Sequence, residues 1–180
     1  PGVHTDGSVS EVVTLPGIEL RILDVDEKSV IMPTGEIGEI SIKGPNVMKG
    51  YWNKPEATEA SFVDGFFLTG DTGYLDEDGY MHIVDRTKDM ITSGGFNVYP
   101  RIIEEAVFEH PAVAAVTVVG LPDDYRGEAA KAFIKLTPSG EEFTLEALRE
   151  FLADKLGQHE MPPALGFRPA PPHTRARKLS

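Results

Sequence analysis

The first half of the chain alternates apolar and polar residues, a pattern that predicts β-strands with one buried face. Residues 17–24, GIELRILD, and residues 38–44, GEISIKG, both follow it. Residues 66–86, FFLTGDTGYLDEDGYMHIVDR, predict two strands joined by a turn at DEDG. Between these strands a short helix is expected from about Pro55 to Phe62, because proline suits the first turn of a helix.

The second half contains two segments with helical periodicity. Residues 100–110, PRIIEEAVFEH, place Ile102, Ile103, Ala106 and Val107 on one face, which predicts an amphipathic helix. Residues 144–157, TLEALREFLADKLG, predict a second helix with Thr144 as its N-cap and Gly157 as its stop. Its apolar stripe consists of Leu145, Leu148, Phe151, Leu152 and Leu156.

Two further segments of the second half are rich in β-branched or apolar residues and predict buried strands. They are VAAVTVVGLP, residues 113–122, and EAAKAFIKLT, residues 128–137. The proline-rich residues after Gly157 are expected to be extended and partly mobile. The change from β-rich to mixed sequence falls near Asp85 to Lys88, so we predict an α+β protein with a domain boundary there.

Composition narrows the class of protein. With 180 residues and 41% hydrophobic content, the chain can bury a core in one or two domains. A net charge of −12 argues against nucleic-acid binding and gives no polybasic membrane signal. The absence of cysteine excludes disulfides, thiolate metal sites and a cysteine nucleophile.

The segments that direct proteins to membranes are not evident in the sequence. The first ten residues lack the pattern of a signal peptide, and the longest apolar run is too short to cross a bilayer. We therefore expect no transmembrane segment and a cytoplasmic protein, with peripheral association at membranes left open. The oligomeric state is not predicted.

The candidate metal ligands do not form a site. The five histidines are scattered, and none pairs at a zinc-binding spacing. The acidic segments DVDEKS, residues 24–29, and DEDG, residues 76–79, lack the alternating oxygen ligands and terminal glutamate of a calcium loop. We interpret both as hairpin turns and predict no metal site. The sequence also contains neither a G-x-S-x-G elbow nor a P-loop lysine motif.

Three short features have two interpretations each. Asp71, in Thr69–Gly70–Asp71, either bonds backbone amides in a turn or accepts hydrogen bonds from the two hydroxyls of a ribose. Arg86 carries a rigid fork of donors suited to phosphate or ribose oxygens, and its ordinary alternative is a surface salt bridge. Gly94 and Gly95 either form a turn or let backbone approach a ligand closely.

Taken together, three segments resemble the later motifs of the acyl-adenylate-forming, or AMP-binding, superfamily. They are GEIGEISIKGPNVMKGYWNKPEAT, GFFLTGDTGYLDEDGYMHIVDRTKDMITSGGFNVYP and GLPDDYRGE, in the family's order. The variant SGGFNVYP is similar to that of fatty acyl-CoA synthetases. The resemblance implies a C-terminal fragment, since the family's phosphate loop and Thr-Glu motif are not in the sequence. It assigns residues 1–86 to the β-rich end of the large domain, and residues 87–180 to the small mobile α+β domain.

The resemblance also implies roles for individual residues. Asp71 matches the aspartate that holds the ribose hydroxyls of ATP and AMP, and Arg86 matches an arginine that contacts the same nucleotide. Lys88 matches the hinge about which the small domain swings. Gly95 matches the glycine that the pantetheine arm of CoA passes, and Gly94 helps to form that loop.

The resemblance weakens in the tail. Lys178 falls where the family has its catalytic lysine, but His173, Arg175 and Arg177 replace the usual Arg, Pro and Gly. Lys178 is either that catalytic residue or an ordinary solvated lysine, and the altered residues reflect either divergence or a reading-frame error. The helix segment carries a second departure, because Ile102 stands where the family commonly has glutamate.

The activity implied is that of an ATP-dependent, AMP-forming fatty acyl-CoA synthetase. It would use ATP, Mg²⁺ held mainly by the large domain, CoA and a fatty acid, and the 180-residue chain alone is expected to be inactive. The acyl chain would bind in the large domain, so its length is not predicted. Two alternatives remain open: another adenylate-forming enzyme, such as an aryl-CoA ligase, a peptide-synthetase domain or a luciferase-like oxygenase, and a non-catalytic binding module.

Overall fold

A computed structural model describes residues 15–138 and 143–167 of the chain. The chain divides into two compact units, with the division between Lys88 and Asp89. We call them the first unit and the second unit and describe each by itself. No helix in the described ranges is long and apolar enough to cross a lipid bilayer.

The first unit is built on an antiparallel five-stranded sheet. Strand β4 lies at its centre and pairs with β2 on one side. On its other side β4 pairs with β3 near its start and with β5 near its end. Strand β1 pairs with the side of β2 that faces away from β4. Its elements are β1 (Glu19–Leu23), β2 (Gly38–Lys43), α1 (Pro55–Glu59), β3 (Phe62–Val63), β4 (Phe66–Leu75) and β5 (Met81–Arg86).

The core of the first unit comes from one face of this sheet. Ile22 of β1 stands directly opposite Ile40 of β2, and both are buried together with Met81 of β5. Every second residue of a strand points to the same face, so the alternating pattern of the sequence supplies this core. Partly buried neighbours complete it: Leu20, Met32, Ile42, Leu75 and Ile83.

The second unit combines a five-stranded sheet with two helices. Strand β9 has β8 along one edge, and β10 and β6 along the other; β10 is parallel to β9, and the other pairings are antiparallel. A 3₁₀ turn at Thr87–Asp89 spans the division between the units. The elements that follow are β6 (Ile91–Ser93), β7 (Phe96–Val98), α2 (Pro100–Phe108), β8 (Val113–Asp123), β9 (Gly127–Leu136), α3 (Leu145–Leu152) and β10 (Ala164–Phe167).

The apolar faces of the two helices and the sheet make one core. Ile103 and Val107 of α2, and Leu148 and Leu152 of α3, are fully buried. They belong to the same cluster as Ile134 and other strand residues. The helical periodicity of the two segments was therefore a correct guide to the buried face of each helix.

The predicted α+β class is confirmed, and so are the strands of residues 17–24, 38–44, 66–86, 113–122 and 128–137. The helix predicted from about Pro55 to Phe62 is present but ends at Glu59, and Phe62 belongs to strand β3. Helix α2 is present where it was predicted, and Thr144 caps α3, since its Oγ1 accepts a hydrogen bond from Ala147 N at 3.1 Å. The sequence missed the short strands β3, β6 and β7. It described the segment containing β10 only as extended, whereas this segment joins the sheet.

The predicted end of α3 at Gly157 was wrong. The helix ends at Leu152, where the Leu152 carbonyl accepts from both Lys155 N and Leu156 N, the tightened last turn that is common at helix ends. Gly157 does not adopt the left-handed conformation of a glycine stop, and its N–H donates to Glu160 Oε2 at 2.8 Å instead. Leu156 is nevertheless buried, so the apolar stripe continues past the regular helix.

Candidate functional site

Strand β4 bulges outward at Thr69, Gly70 and Asp71. Leu68 pairs with Ser41 and Thr72 pairs with Glu39, so three residues of β4 stand opposite the single residue Ile40. A bulge of this kind leaves backbone groups without ladder partners and re-aims the side chains of the bulged residues. Gly70 adopts φ +76°, a left-handed conformation that favours glycine. These three residues, for which a turn was one of two interpretations, thus form an irregularity within a strand.

Side chains of the first unit hold this bulge. Thr69 Oγ1 donates to Ile40 O at 2.8 Å and accepts from Asp71 N at 3.2 Å. Glu39 Oε1 accepts from Gly70 N at 3.1 Å, and Glu39 Oε2 bonds Lys28 Nζ at 2.5 Å. The Glu39 side chain is only 7% exposed, so this carboxylate lies beneath the bulge with both oxygens occupied.

Asp71 and Arg86 meet across the pair β4 and β5. They are register partners, and Arg86 Nε donates to Asp71 Oδ1 at 3.0 Å. Their side chains are 37% and 55% exposed respectively, so both remain accessible to a ligand. The salt bridge that was the ordinary alternative for Arg86 is present, and its partner is the other candidate nucleotide residue. The Arg86 guanidinium occupies one oxygen of the Asp71 carboxylate and leaves the other able to accept hydrogen bonds.

The hairpin between β4 and β5 fixes the spacing of this pair. Asp76 Oδ1 accepts from Asp78 N at 3.1 Å and Tyr80 N at 2.8 Å, and Asp76 Oδ2 lies 2.8 Å from His82 Nε2. The hydrogen bond from His82, followed by the backbone N–H groups, lowers the pKa of Asp76 against the opposing effect of burial. The DEDG segment is therefore the hairpin turn that the sequence predicted.

The acidic segment at residues 24–29 is also a turn. Asp24 Oδ1 accepts from Asp26 N at 2.9 Å and from Glu27 N at 2.6 Å, so it satisfies backbone donors of its own loop. Within residues 15–138 and 143–167, no three His, Asp or Glu side chains are grouped so that they could hold a metal ion.

Gly94 and Gly95 form the two-residue turn of the β6–β7 hairpin. Ser93 pairs with Phe96, and the two glycines adopt φ +60° and +84°. Positive φ at both central residues is the requirement of the tight turns that suit the twist of two strands. A Cβ at either glycine would meet no heavy atom within 4 Å, so the turn is open to its surroundings within the second unit.

A second turn lies against this glycine turn. Gly94 N donates to Arg126 O at 2.9 Å, and Ser93 pairs with Gly127. That neighbouring turn, between β8 and β9, is itself capped by Asp123, whose Oδ1 accepts from Arg126 N at 2.8 Å and Tyr125 N at 3.0 Å. These backbone hydrogen bonds, that from Arg126 first, lower the pKa of Asp123.

The remaining candidate residues belong neither to the pair of Asp71 and Arg86 nor to the turn at Gly94 and Gly95. Lys88 lies in the 3₁₀ turn at Thr87–Asp89, at the last residue of the first unit. Lys178, with His173, Arg175 and Arg177, lies outside the described residues. Glu104 is in α2, where its Oε1 accepts from Val118 N at 2.8 Å and ties the helix to β8.

Comparison with known proteins places both units in one family. The model of the AMP-binding enzyme C-terminal domain matches residues 102–178, and that of the AMP-binding enzyme matches residues 3–52. The chain belongs to the AMP-binding enzyme superfamily. The family predicted from the motifs is therefore confirmed.

The similar proteins include ligases with different acids in their names. A long-chain-fatty-acid–CoA ligase of Bacillus subtilis (strain 168) is 49% identical over 144 residues, covering 80% of this chain and 26% of that protein. A 2-succinylbenzoate–CoA ligase of Bacillus cereus (strain Q1) is 41% identical over 157 residues, covering 87% of this chain and 32% of that protein. The chain thus spans about a third or less of the length of these relatives.

A related structure has ATP bound. The crystal structure of ATP-bound MatB from Rhodopseudomonas palustris aligns with a TM-score of 0.81 and 38% identity, over 97% of this chain and 34% of that protein.

Sequence reasoning missed Glu39 and Lys28. The strand pattern of residues 38–44 placed Glu39 on the face opposite Ile40, where a charged residue is ordinarily solvated. No sequence pattern links Glu39 with Lys28 or with Gly70, because the contacts depend on the bulge in β4. The one hint of a structural role for Glu39 is its place in β2, a strand that has a neighbour on each side, between the buried residues Gly38 and Ile40.

Proposed function

We propose that the full-length protein containing this chain is an ATP-dependent, AMP-forming fatty acyl-CoA synthetase. The observation that carries the proposal is the pair of Asp71 and Arg86, joined at 3.0 Å and accessible at the edge of β4 and β5. The similarity to a long-chain-fatty-acid–CoA ligase supports a fatty acid as the acyl substrate.

In the first half-reaction a fatty acid carboxylate oxygen attacks the α-phosphorus of ATP. Pyrophosphate leaves, and the acyl-adenylate forms. Asp71 would accept hydrogen bonds from the ribose hydroxyls, since its Oδ2 has no partner among the described residues and Arg86 occupies only Oδ1. Arg86 retains further N–H donors for the nucleotide. A lysine at the position of Lys178 would stabilise the negative charge that develops on the phosphate and carboxylate oxygens.

In the second half-reaction the sulfur of CoA attacks the acyl carbonyl carbon. The thiol loses its proton, the carbon–oxygen bond to the adenylate breaks, and AMP leaves. The open turn at Gly94 and Gly95 supports a role as the backbone that the pantetheine arm passes, because neither residue carries a side chain and the space beyond each Cα is free within the second unit. Lys88 would be the pivot that lets the two units take different arrangements in the two steps.

Binding of Mg²⁺ and most contacts to the acyl chain would come from the part of the enzyme that precedes this region in the relatives. The chain spans only 26% and 32% of the two ligases to which it is similar, so we expect no synthetase turnover from the 180-residue chain alone. Turnover by that chain, purified from a host that lacks its own acyl-CoA synthetases, would contradict this division of roles.

A second candidate is another adenylate-forming ligase that acts on an aromatic acid. The observation in its favour is the 41% identity to a 2-succinylbenzoate–CoA ligase, only a little below that of the fatty acid relative. The nucleotide and CoA residues would keep the same roles, so only the acid would differ. A non-catalytic binding module is the remaining alternative and would adenylate nothing.

The test is an assay of the full-length enzyme with ATP, CoA and a panel of acids. Pyrophosphate release and thioester formation are measured for medium-chain and long-chain fatty acids and for aromatic acids of similar size. The proposal requires both products with fatty acids. A preference for aromatic acids would favour the second candidate, and adenylation without any transfer to CoA would rule out the assignment as a synthetase.

A further inference from the structure

We propose that Glu39, anchored by Lys28, is a positioning residue that sets Asp71 for binding the nucleotide ribose. The inference rests on the proposed function for the role of Asp71. Glu39 would act through the backbone of the β4 bulge, because its two carboxylate oxygens bond Gly70 N and Lys28 Nζ.

The bulge creates the need for such a residue. Because Thr69, Gly70 and Asp71 all stand opposite Ile40, the ladder between β2 and β4 does not continue through them. The Gly70 N–H is instead bound by Glu39 Oε1 at 3.1 Å. The bond is partly buried, and a donor shielded from water and left unpaired is costly, so this contact favours the bulged shape over a regular strand.

The position of Asp71 follows from that shape. Gly70 directly precedes Asp71, and its left-handed φ of +76° sets the direction in which the chain enters Asp71. Thr69 contributes a parallel constraint, since its hydroxyl bonds Ile40 O and Asp71 N. Glu39 and Thr69 therefore hold the backbone on which Asp71 stands, and Arg86 holds its carboxylate.

Lys28 makes this use of a buried carboxylate possible. Glu39 is 5% exposed as a residue, and an isolated charge at such a position would be strongly disfavoured. Lys28 Nζ bonds Oε2, the oxygen that Gly70 does not use, so one carboxylate joins the β1–β2 connection to the β4 bulge. Removing Lys28 would leave the buried Glu39 carboxylate without its counter-ion, whereas the Lys28 side chain is 26% exposed.

The test compares ATP with 2′-deoxyATP in the adenylation step of the full-length enzyme. A carboxylate that accepts hydrogen bonds from both ribose hydroxyls discriminates against a nucleotide that lacks one. The ratio of kcat/KM for ATP to that for 2′-deoxyATP therefore reports where the Asp71 carboxylate stands. The same ratio measured for the Asp71→Ala enzyme is the reference value in the absence of the carboxylate.

In Glu39→Ala we expect the ratio to fall roughly tenfold to a hundredfold, the range for a hydrogen bond to a charged group, with a raised KM for ATP and an unchanged KM for CoA. Glu39→Gln keeps an acceptor for Gly70 N and should restore part of the ratio. Lys28→Met keeps Glu39 without its counter-charge and should lower the ratio, which also provides a test if Glu39→Ala does not fold. Ser41→Ala is the matched control: Ser41 is fully buried on the same face of β2 but bonds Arg21 O, away from the bulge.

An unchanged ratio in both Glu39→Ala and Lys28→Met would overturn the positioning role and leave the proposed function intact. An equal loss of the ratio in Ser41→Ala would also overturn it, because the effect would then come from general loosening of the sheet. If the unmodified enzyme does not discriminate, or Asp71→Ala leaves its ratio unchanged, the failure lies with the assignment of Asp71 itself.

Discussion

Replacing Gly95 with leucine should separate the two half-reactions. Gly95 adopts φ +84° in the β6–β7 turn, and a Cβ there would meet no heavy atom within 4 Å. The cost to the fold of the second unit therefore comes from the left-handed backbone alone, about 1–2 kcal/mol for a residue with a side chain. That cost is too small to unfold a domain with the buried core of α2 and α3.

The chain offers a matched control at Gly79. This glycine lies in the β4–β5 hairpin turn of the first unit, adopts φ +83°, and likewise has no heavy atom within 4 Å of an added Cβ. Gly79→Leu and Gly95→Leu should thus lose the same free energy of folding to the left-handed backbone, at two different places in the chain. Any difference between them in catalysis comes from the location of the side chain.

We expect Gly95→Leu to form acyl-adenylate at the parental rate but to transfer the acyl group to CoA at least about a hundredfold more slowly, the loss typical of reacting groups held out of position. Gly79→Leu should preserve both steps. The assay mixes preformed enzyme-bound acyl-adenylate with CoA and follows thioester by rapid quench. Equal slowing in the two variants would show that backbone strain is the cause, and normal transfer in Gly95→Leu would remove the glycine turn from the path of the thiol.

Three further predictions test other parts of the molecule. In the full-length enzyme Lys178→Ala should slow adenylation about 10²–10³-fold and affect thioester formation much less. If the variant and the unmodified enzyme adenylate at the same rate, Lys178 is not the catalytic lysine. Leu148→Ala should cost the second unit about 2–5 kcal/mol of unfolding free energy in urea, because Leu148 is fully buried, whereas the partly exposed Leu121→Ala should cost far less. The His82 hydrogen bond holds the pKa of Asp76 below its ordinary value of 3.8, so its stabilisation is present above that pH and lost as the pH falls through the folded pKa. Asp76→Asn should therefore lose less stability than the unmodified protein as the pH falls below about 4. Unfolding midpoints that fall as steeply with pH in the variant as in the unmodified protein would contradict this.

The sequence predicted those parts of the fold that depend on local periodicity. Thr144 and the stripe through Leu148 and Leu152 define α3, because a cap and a helical repeat act within a few residues. The short strands β6 and β7 were missed because three residues are too few to establish an alternating pattern. Strand β10 was missed because its parallel pairing with β9 is a long-range contact with no local signal.

The candidate site shows the same limit. Asp71 and Arg86 were chosen by their chemistry and by family resemblance, and the register of β4 and β5 brings them together. The bulge that carries Asp71 was not predicted, and a turn was one of the two interpretations of this segment, since glycine between two polar residues is typical of both turns and bulges. Glu39 was missed, because its contacts with Gly70 and Lys28 are defined only by the folded sheet.

The most direct test of the account is the product balance of the full-length enzyme given ATP, CoA and a long-chain fatty acid. The account predicts AMP, pyrophosphate and acyl-CoA in equal amounts, with acyl-adenylate accumulating when CoA is withheld, and loss of all of these products in Asp71→Ala at a limiting ATP concentration. Formation of ADP and phosphate, or adenylate that CoA never consumes, would contradict it.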